Sequence, residues 1–517
     1  MEEKKAKNRT VLYVSSAIAL LFVLVSMFFT EATTAVFNQL FALITTDFGW
    51  LYLLSVGLFI VFAIGLVISP YGKIILGKDD DKPEFTNFQW FSMLFGGGMG
   101  IGLVFWSVSE PIMHYLSPPI GEGGTQAAME LAMRISFFHW GLHPWVIFAI
   151  GGLGLAYFQF RKDLPFLISS AFYPLIGERI HGPIGKTIDI LAVFATIFGV
   201  ATSLGLGSTQ IATGLQYIWG IPSTPMTVSI IIAIITVIFT LATVSGLHKA
   251  MQAAANIKIW LSVAFMVFIF VFGGSVFILN NFTNTLGSYL QNLVGQTFWM
   301  GNVEWLNGWT IFYWAWWIAW APFVGQFVAR VSKGRSIREF ILAVSLLPAG
   351  FSLIWIAIYG GAAFNLNTIS NGAIEAAVGA DYTTGLFALL QQLPFYAVTS
   401  VLAIVLIVVC FVGAANSATY VLAMLTSGGD MDPDKKLRAG WGIAQGLITI
   451  MLILVGGTSA LKALQTASIV AAFPYMIIML VMCVSIFKAL KADYSESQLL
   501  KTNNAFREVG SGQKDIA

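Results

Sequence analysis

Four tryptophans lie close together in the segment WTIFYWAWWIAWAPF at residues 309–323. These are Trp314, Trp316, Trp317 and Trp320. In a helix, side chains four residues apart share a face, so Trp316 and Trp320 stack along one side with Trp317 beside them. An indole face attracts a cation through the ring quadrupole, most usefully a cation that is weakly hydrated. The spacing predicts an aromatic site for a quaternary ammonium group, and we assign Tyr313 to the same site.

A second aromatic group stands in FHWGLHPWVIF at residues 138–148. Trp140 and Trp145 are five residues apart with a proline between them, and Phe148 follows one turn later. Alone, each tryptophan would be typical of the aromatic belt at a membrane interface. Because two such groups lie in two apolar segments, both away from charged ends, we interpret them as one shared aromatic cage.

A dense run of glycines precedes both aromatic groups in the chain, in FGGGMGIGLVFW at residues 95–106. Each glycine destabilises a helix by about 1 kcal/mol relative to alanine. In lipid, such a stretch survives only where its freed backbone groups face protein or a water-filled cavity. Secondary transporters hold substrates and ions on interrupted helices of this kind. Close helix packing is the alternative, but the density favours an unwound binding segment that contains Gly98, Met99, Gly100 and Gly102.

Two histidines, His139 and His143, are four residues apart and could in principle hold a metal or relay protons. We expect no carboxylate or cysteine nearby to complete a set of ligands, and catalytic metals take three or four ligands. We therefore predict structural histidines, no metal and no cofactor. We interpret Glu110 as a polar residue at the end of the broken helix rather than a proton-coupling carboxylate.

Composition places these segments in a membrane. The 517 residues are 57% hydrophobic and only 10% charged, with a mean hydropathy of +0.81. A soluble domain cannot hide that much apolar surface, so the chain is predicted to be an all-α polytopic membrane protein. The formal charge of +2 favours no nucleic acid as partner. The two cysteines, Cys410 and Cys483, lie in apolar segments and indicate no disulfide framework.

Apolar runs of spanning length predict twelve transmembrane helices. They lie near residues 11–30, 50–69, 89–108, 135–160, 187–215, 225–245, 257–279, 307–331, 338–360, 396–427, 438–456 and 466–490. The first run is read as an uncleaved span rather than a signal peptide. Of the 27 lysines and arginines, all but Arg134 and Lys462 fall on one side of this arrangement. Both termini are therefore predicted to be cytoplasmic. Between spans, Asn281–Thr297 is predicted to be an amphipathic surface helix.

The segments GMGIG at 98–102 and GWTIFYWAWWIAWAPFVGQFVARVSKGRSIREF at 308–340 resemble the betaine/choline/carnitine transporter family. The resemblance covers almost the whole chain. It implies an inverted-repeat, LeuT-like fold with two additional N-terminal helices. The implied parts are the tail and first two helices (1–88), a five-helix repeat (89–280), the surface helix and linker (281–306), a second five-helix repeat (307–490) and a short cytoplasmic tail (491–517). Family members are usually trimers, so the resemblance also implies a homotrimer.

Carried over by position, the family's aromatic cage corresponds to Trp140, Trp145, Trp316, Trp317 and Trp320. Betaine carriers of the family often have tyrosine where this chain has Phe148. Choline-selective relatives tend to have aspartate at the position of Gly102. Glycine there favours a trimethylammonium zwitterion such as glycine betaine or carnitine, whose carboxylate could meet backbone N–H groups of residues 96–102.

The resemblance also identifies positions for a coupling ion. In sodium-coupled relatives, backbone oxygens of the third span, here Gly96 and Met99, act with two hydroxyl residues of the tenth span. This chain has Gly413 and Ala414 at those hydroxyl positions, so two hard oxygen ligands are missing. A second position in the fifth span keeps Thr196. Residues near the missing pair could form a shifted site, and these are Cys410, Asn416, Ser417 and Thr419.

Lys258 could replace an ion, because a fixed ammonium can occupy the place of a cation. The family's sodium-independent carnitine exchangers have an arginine in this region, although Val324 stands where they place a methionine. The alternative for Lys258 is a snorkelling side chain at a helix end. Coupling thus stays open between symport with sodium or protons and substrate exchange, and Na⁺ is not favoured.

We interpret the chain as a secondary transporter in the cytoplasmic membrane, working by alternating access. A channel would need rings of carbonyls or like charges along a pore, and none recurs. A membrane enzyme would need a nucleophile–base pair or a metal cluster, and neither is apparent. A ligand sensor without flux remains the alternative from another class.

Overall fold

The computed structural model describes residues 9–98, 100–245 and 248–512, and nearly all of them are helical. The principal helices are α1 (Arg9–Phe28), α2 (Thr30–Ile68), α3 (Asn87–Gly98), α4 (Ile101–Leu116), α5 (Gln126–Trp140), α6 (Leu142–Ala156), α7 (Pro183–Trp219), α8 (Pro225–Ser245), α9 (His248–Phe272), α10 (Ser275–Thr297), α11 (Val303–Gly308), α12 (Thr310–Arg330), α13 (Ile337–Ile369), α14 (Ala373–Ala380), α15 (Gly385–Gln391), α16 (Tyr396–Thr426), α17 (Lys435–Gly456) and α18 (Ala460–Gly512). Apart from an isolated bridge between Ile75 and Ser336, the described residues pair in no sheet. The prediction of an all-α polytopic membrane protein is confirmed at this level.

Within the described ranges, ten helices are long and apolar enough to cross a membrane. They are Arg9–Phe28, Thr30–Ile68, Gln126–Arg161, Pro183–Trp219, Pro225–Ser245, Gln252–Phe272, Ile337–Ile369, Tyr396–Thr426, Lys435–Gly456 and Ala460–Glu496. The other two predicted spans, 89–108 and 307–331, fall on α3 with α4 and on α12. The first is divided between two short helices. The second is rich in tryptophan, which has a low hydropathy, so the residues that suggest a binding site also weaken the spanning signal.

The outer surface of the helices is apolar over most of its length. Large exposed side chains on α1, α8 and α9 include Leu20, Val237 and Val267, each more than half exposed. Soluble monomers rarely expose continuous apolar patches of this extent, whereas lipid tails cover them. The chain is therefore built as a multi-pass membrane protein.

Helix α12 lies at the centre of the molecule. It packs against α6, α7 and α18, and its residues from Thr310 to Gln326 are all buried. The six-residue α11 and the turn at Trp309 precede it. Because neighbours surround α12, its large aromatic rings lie among protein side chains and not among lipid tails.

The third predicted span is interrupted in its middle, as the glycine run indicated, but over a shorter stretch. Residues 96–98 still belong to α3, and Gly102 belongs to the first turn of α4. Gly100 alone among the described residues of the run is extended, with φ −106° and ψ 164°. Met99 lies outside the described residues. The prediction of an unwound segment over 96–102 is thus wrong in extent, because the glycines on either side of the break continue the helices.

The fourth predicted span is also divided. Helix α5 ends at Trp140, Gly141 has φ −84° and ψ −125°, and α6 starts at Leu142. A Cβ on Gly141 would stand 2.6 Å from the Phe137 carbonyl oxygen and 2.8 Å from the Tyr289 hydroxyl. Only glycine therefore allows this close turn, which lies between the two aromatic groups of the span.

The predicted amphipathic helix over 281–297 is present, and α10 begins six residues earlier, at Ser275. It packs against α5 and α13. Its inner face buries Ile278 and Tyr289, whereas its outer face exposes Leu290 and Val294. One face of this helix therefore belongs to the core and the other is an uncovered apolar surface.

The loop after α12 contacts α3 and the segment before it, and it leads directly into α13. The Arg335 guanidinium donates to the Phe85 carbonyl oxygen at 2.7 Å and stacks on the Trp90 ring of α3 at 4.4 Å. Ser336 and Glu339 form a capping box at the start of α13, which satisfies free N–H groups of its first turn. This end of α12 is thereby held against α3.

Candidate aromatic binding site

Six aromatic rings from three helices line one cavity. They are Trp140 of α5, Trp145 and Phe148 of α6, and Trp316, Trp317 and Trp320 of α12, and we call them the aromatic cage. Each is less than a tenth exposed. The cavity volume is about 30 Å³. The rings that the sequence assigned to one site do lie together.

The rings of the cage meet face to face and face to edge. Trp316 and Trp317 are stacked, with centroids 4.8 Å apart and planes at 12°. Trp140 stands across Trp317 at 4.9 Å and 72°, and Trp320 stands across it at 6.4 Å and 84°. The ring planes around the cavity therefore stand at steep angles to one another, so indole surfaces of more than one orientation line it.

Helix α6 closes another side of the cage. The rings of Trp145 and Phe148 are 5.4 Å apart at 77°, and Phe148 stands 6.2 Å from Trp317. Val324 of α12 and Ser352 of α13 complete the lining. The phenylalanine thus keeps the ring contact that the resemblance assigns to this position, without a hydroxyl group.

Hydrogen bonds fix the indoles of α12 from outside the cage. Trp320 Nε1 donates to the Gly199 carbonyl oxygen at 2.9 Å, and Trp316 Nε1 donates to the same oxygen at 3.3 Å and to Ser203 Oγ at 3.2 Å. Trp317 Nε1 donates to the His139 carbonyl oxygen at 3.1 Å. A buried N–H without a partner costs about 1–3 kcal/mol, so these bonds hold the rings in one orientation.

Gly199 and Ser203 of α7 were missed by sequence analysis. Their signal was weak, since small residues in a spanning helix usually serve close packing. A Cβ on Gly199 would stand 2.9 Å from Ala319 Cβ and 3.0 Å from Trp320 Cδ1. The missing side chain lets the α7 backbone approach the indoles closely enough to accept both bonds.

Gly102 forms the wall of the cage on α4. A Cβ there would stand 2.5 Å from Trp316 Cη2 and 2.9 Å from Trp140 Cη2. Any side chain, aspartate included, would displace these two rings. At Gly100 a Cβ would lie 3.6 Å from Trp320, an ordinary contact. The first turn of α4 also carries N–H groups without helical partners, which lie beside the cage.

Glu110 departs most from the sequence interpretation. It lies inside α4 and is fully buried, so the prediction of a helix-end residue is wrong. Its Oε2 accepts from Trp140 Nε1 at 2.7 Å and from Tyr313 Oη at 2.5 Å. Its Oε1 lies 2.7 Å from His139 Nδ1 and 3.3 Å from His114 Nε2.

His139 and His143 contact different helices. His143 Nε2 lies 2.9 Å from Thr297 Oγ1 of α10, whereas His139 contacts Glu110 and Thr310. Glu110, His114 and His139 offer three possible ligand atoms within 4.8 Å of one another. Hydrogen bonds already engage these atoms, so we assign them to a polar network. The expectation that no carboxylate lies near His139 is wrong because the carboxylate comes from another helix.

Trp314, the remaining tryptophan of the first group, faces away from the cage. It stacks on His143 at 5.1 Å and 8° and contacts Phe138. Tyr313 reaches the cage from its outer side, 5.5 Å from Trp140 and 5.8 Å from Trp317. Of the five aromatic residues at 313–320, therefore, three line the cavity and one supports it.

The side chains assigned to ion coupling lie on α7, α9 and α16. We call Thr196, Gly413, Ala414 and Asn416 the coupling region. Thr196 Oγ1 donates to the Ala192 carbonyl oxygen at 2.8 Å, one turn back in its own helix. Asn416 Oδ1 accepts from Thr243 of α8. A Cβ on Gly413 would meet nothing within 4 Å. Gly96 lies in α3, and Met99 is outside the described residues.

The other coupling candidates make bonds within α16 and to a neighbouring helix. Ser417 Oγ donates to the Gly413 carbonyl oxygen at 3.0 Å, and Thr419 Oγ1 donates to that of Ala415 at 2.7 Å. Thr419 Oγ1 also accepts from Gln445 Nε2 of α17 at 2.7 Å. Cys410 is buried, and α9, which carries Lys258, packs against α16.

Comparison with known proteins gives a consistent result. Residues 10–495 match the model of the betaine/carnitine/choline family transporter. The chain is 76% identical over 488 residues to a probable glycine betaine transporter of Desulfitobacterium hafniense (strain Y51), covering 94% of this chain and 98% of that protein.

Two more distant relatives have similar names. The glycine betaine transporter OpuD of Bacillus subtilis (strain 168) is 48% identical, covering 88% of this chain and 89% of its own. A glycine betaine transporter of Acinetobacter baylyi is 43% identical, covering 90% of this chain and 70% of its own.

Proposed function

Since the chain belongs to the betaine/carnitine/choline transporter family, we propose that it carries a trimethylammonium zwitterion, glycine betaine before carnitine, across the cytoplasmic membrane. It is a transporter and not an enzyme. The observation that supports this substrate is the aromatic cage, in which six buried rings from three helices line one cavity. The printed names of the relatives favour glycine betaine within that class.

The two ends of a zwitterion need different partners, and the site offers both. The onium head lies against indole faces, each worth about 1–2 kcal/mol when desolvated. The carboxylate lies at the break before α4, where first-turn N–H groups and the helix dipole favour an anion. Several such contacts are enough for micromolar affinity after the ordering costs of binding.

Glycine at position 102 supports a zwitterion over a bare cation. The neighbouring Trp316 and Trp140 rings leave no space for an aspartate there. Without that carboxylate, the head is held by ring faces, and the carboxylate of the substrate meets no like charge. Choline, which has no anionic end, would forgo the contacts at the start of α4.

We propose the twelve-helix arrangement with two inverted five-helix repeats for the transport cycle. Residues 89–280, with α3 to α9, form the first repeat, and residues 307–490, with α12 to most of α18, form the second; residues 1–88 precede them, 281–306 link them and 491–517 form the tail. In such folds substrate sites lie at interrupted helices near mid-membrane, which agrees with the breaks before α4 and α6. The charge asymmetry of the loops supports a cytoplasmic position for both termini.

We further propose a homotrimer that uses the outer face of α10. That face exposes Leu290 and Val294 while Ile278 and Tyr289 are buried. The family resemblance assigns this element to assembly, and an apolar face of this kind needs a covering surface.

Transport without a coupling sodium ion is favoured by the coupling region. Gly413 and Ala414 offer no side-chain oxygen, and Thr196 Oγ1 bonds its own helix. Lys258 could substitute for a cation, which is supported by the packing of its helix, α9, against α16. Symport with sodium or protons is the alternative that the first experiment separates.

Uptake of labelled glycine betaine into proteoliposomes tests the proposal. Saturable uptake with stimulation by substrate inside supports a carrier, whereas binding without flux supports a sensor. Uptake that persists when potassium replaces sodium supports sodium independence, and collapse of uptake contradicts it. Inhibition of this uptake by competitors that differ in the spacing between ammonium and carboxylate shows whether the site prefers glycine betaine or carnitine.

The cage itself is tested by Trp317→Leu, which should weaken glycine betaine binding at least about tenfold because it removes a desolvated cation–π contact. The matched control is Trp219→Leu, since Trp219 is 57% exposed at the end of α7. Equal affinities for the two variants and the native protein would show that the indoles of α12 only fill space.

A further inference from the structure

The carboxylate of Glu110 lies directly behind the aromatic cage. Its Oε2 accepts hydrogen bonds from Trp140, which lines the cavity, and from Tyr313, which packs on Trp140 and Trp317. Its Oε1 lies within hydrogen-bond distance of His139 and His114. Glu110 itself does not line the cavity. The substrate contacts proposed above do not use it.

The side chains that face Glu110 come from its own helix, α4, and from α5 and α12. They are His114 of its own helix, His139 and Trp140 of α5, and Tyr313 of α12. Thr310 of α12 contacts the far nitrogen of His139, and Trp309 packs on His114. Among the described ion pairs and hydrogen bonds of Glu110, no lysine or arginine takes part.

Several potential donors around one carboxyl group favour its ionised form. An ionised carboxylate only accepts hydrogen bonds, and charge-assisted bonds are about twice as strong as neutral ones. An uncompensated buried charge is nonetheless costly. A cation on the other side of the Trp140 ring would reduce that cost, because charges interact strongly where water is excluded.

We propose that Glu110 is the buried anion that makes the cage prefer a positively charged head over a neutral one of the same shape. It is a positioning residue that acts through Trp140: its hydrogen bond orients the ring, and its charge raises the negative potential of the ring face. This inference rests on the proposed function, since it assumes an onium ligand in the cage.

A neutral group could satisfy the same ring donors, so charge and packing can be separated. Glutamine keeps an acceptor for Trp140 Nε1 and Tyr313 Oη but removes the negative charge. If Glu110 only fills space and accepts bonds, Glu110→Gln should affect a ligand with a cationic head and a ligand with an uncharged head alike. If its charge matters, only the ligand with the cationic head should lose affinity.

The experiment compares glycine betaine with 3,3-dimethylbutyrate, in which carbon replaces the ammonium nitrogen. Binding to purified protein is measured by tryptophan fluorescence and by competition against labelled glycine betaine. In Glu110→Gln, we expect glycine betaine affinity to fall at least tenfold and 3,3-dimethylbutyrate affinity to change less than twofold. Equal loss for both ligands, or no loss for either, overturns the proposal.

Glu110→Asp provides a second variant that keeps the charge, and it serves even if Glu110→Gln does not fold. We expect both affinities to fall while the ratio between the two ligands stays within threefold of the native ratio. A ratio near one in Glu110→Asp contradicts the proposal.

Asp189→Asn is the matched control, because Asp189 is another buried carboxyl group, bonded to Ser169 and ten residues before Gly199 on α7. Its substitution should leave the ratio unchanged, and an altered ratio would attribute the effect to any buried charge. Failure of the native protein to bind glycine betaine would instead refute the proposed function.

Discussion

In the aromatic cage the polar ring atoms bond between helices, whereas in the coupling region the Thr196 hydroxyl bonds within one helix. Trp316 and Trp320 of α12 both reach the Gly199 carbonyl oxygen of α7. Thr196, three residues earlier on α7, turns back to Ala192. Helix α7 thus accepts hydrogen bonds from two cage indoles at Gly199. One turn earlier, the Thr196 hydroxyl donates only within α7.

The two regions also differ in the space around their glycines. Gly102 has no room for a Cβ, while Gly413 has nothing within 4 Å. Close contact makes the cage specific, because any change in shape is transmitted to the rings. The open space around Gly413 places no such constraint on its neighbours.

Equal substitutions at the two glycines should give the largest contrast. Gly102→Ala forces a Cβ against Trp316 and Trp140, and overpacking of this kind costs about 1–3 kcal/mol, or about 5- to 150-fold in affinity. Gly413→Ala should change glycine betaine affinity less than about twofold. Equilibrium binding to both purified variants provides the measurement, and similar losses would erase the distinction between the regions.

Substitution of Lys258 should have an effect of intermediate size on sodium-free uptake. Loss of a favourable charge interaction of about 1 kcal/mol predicts that Lys258→Met lowers sodium-free uptake about fivefold. The control is Lys488→Met, since Lys488 donates to the Pro174 carbonyl oxygen away from α16. If both variants transport at the native rate without sodium, Lys258 is a snorkelling side chain and not an ion substitute.

Two hydroxyl deletions on α7 should give the smallest contrast. Ser203→Ala removes one of two acceptors for Trp316 Nε1 and should weaken binding about threefold, within the usual worth of a hydrogen bond. Thr196→Val removes only a bond to its own helix and should change uptake less than about twofold. A larger effect of Thr196→Val, especially one that depends on sodium, would restore a sodium site to the coupling region.

Sequence reasoning reached the cage because its signal is strong and local. A cluster of tryptophans such as Trp316, Trp317 and Trp320 is rare inside a spanning segment, and helical spacing puts these residues on neighbouring faces. The same reasoning found the amphipathic α10 from its pattern. It overestimated the break near Gly100, because glycine content indicates weakness in a helix but does not tell where neighbouring helices support it.

The roles of Glu110 and Gly199 were not predicted from the sequence, for a different reason. Glu110 is 29 residues from His139 in the chain but 2.7 Å from it in space, and Gly199 carries no side chain to draw attention. Their roles depend on which helix packs against which, and a single sequence contains no direct record of that pairing.

By itself, the sequence determined that the chain crosses a membrane many times and concentrates indoles on one face of a spanning segment, because hydropathy and helical periodicity are local properties. The tertiary structure alone decided which rings share a cavity and that Trp314 does not. It also decided that a buried carboxylate stands behind the cage, because long-range packing brings α4, α5, α7 and α12 to one point.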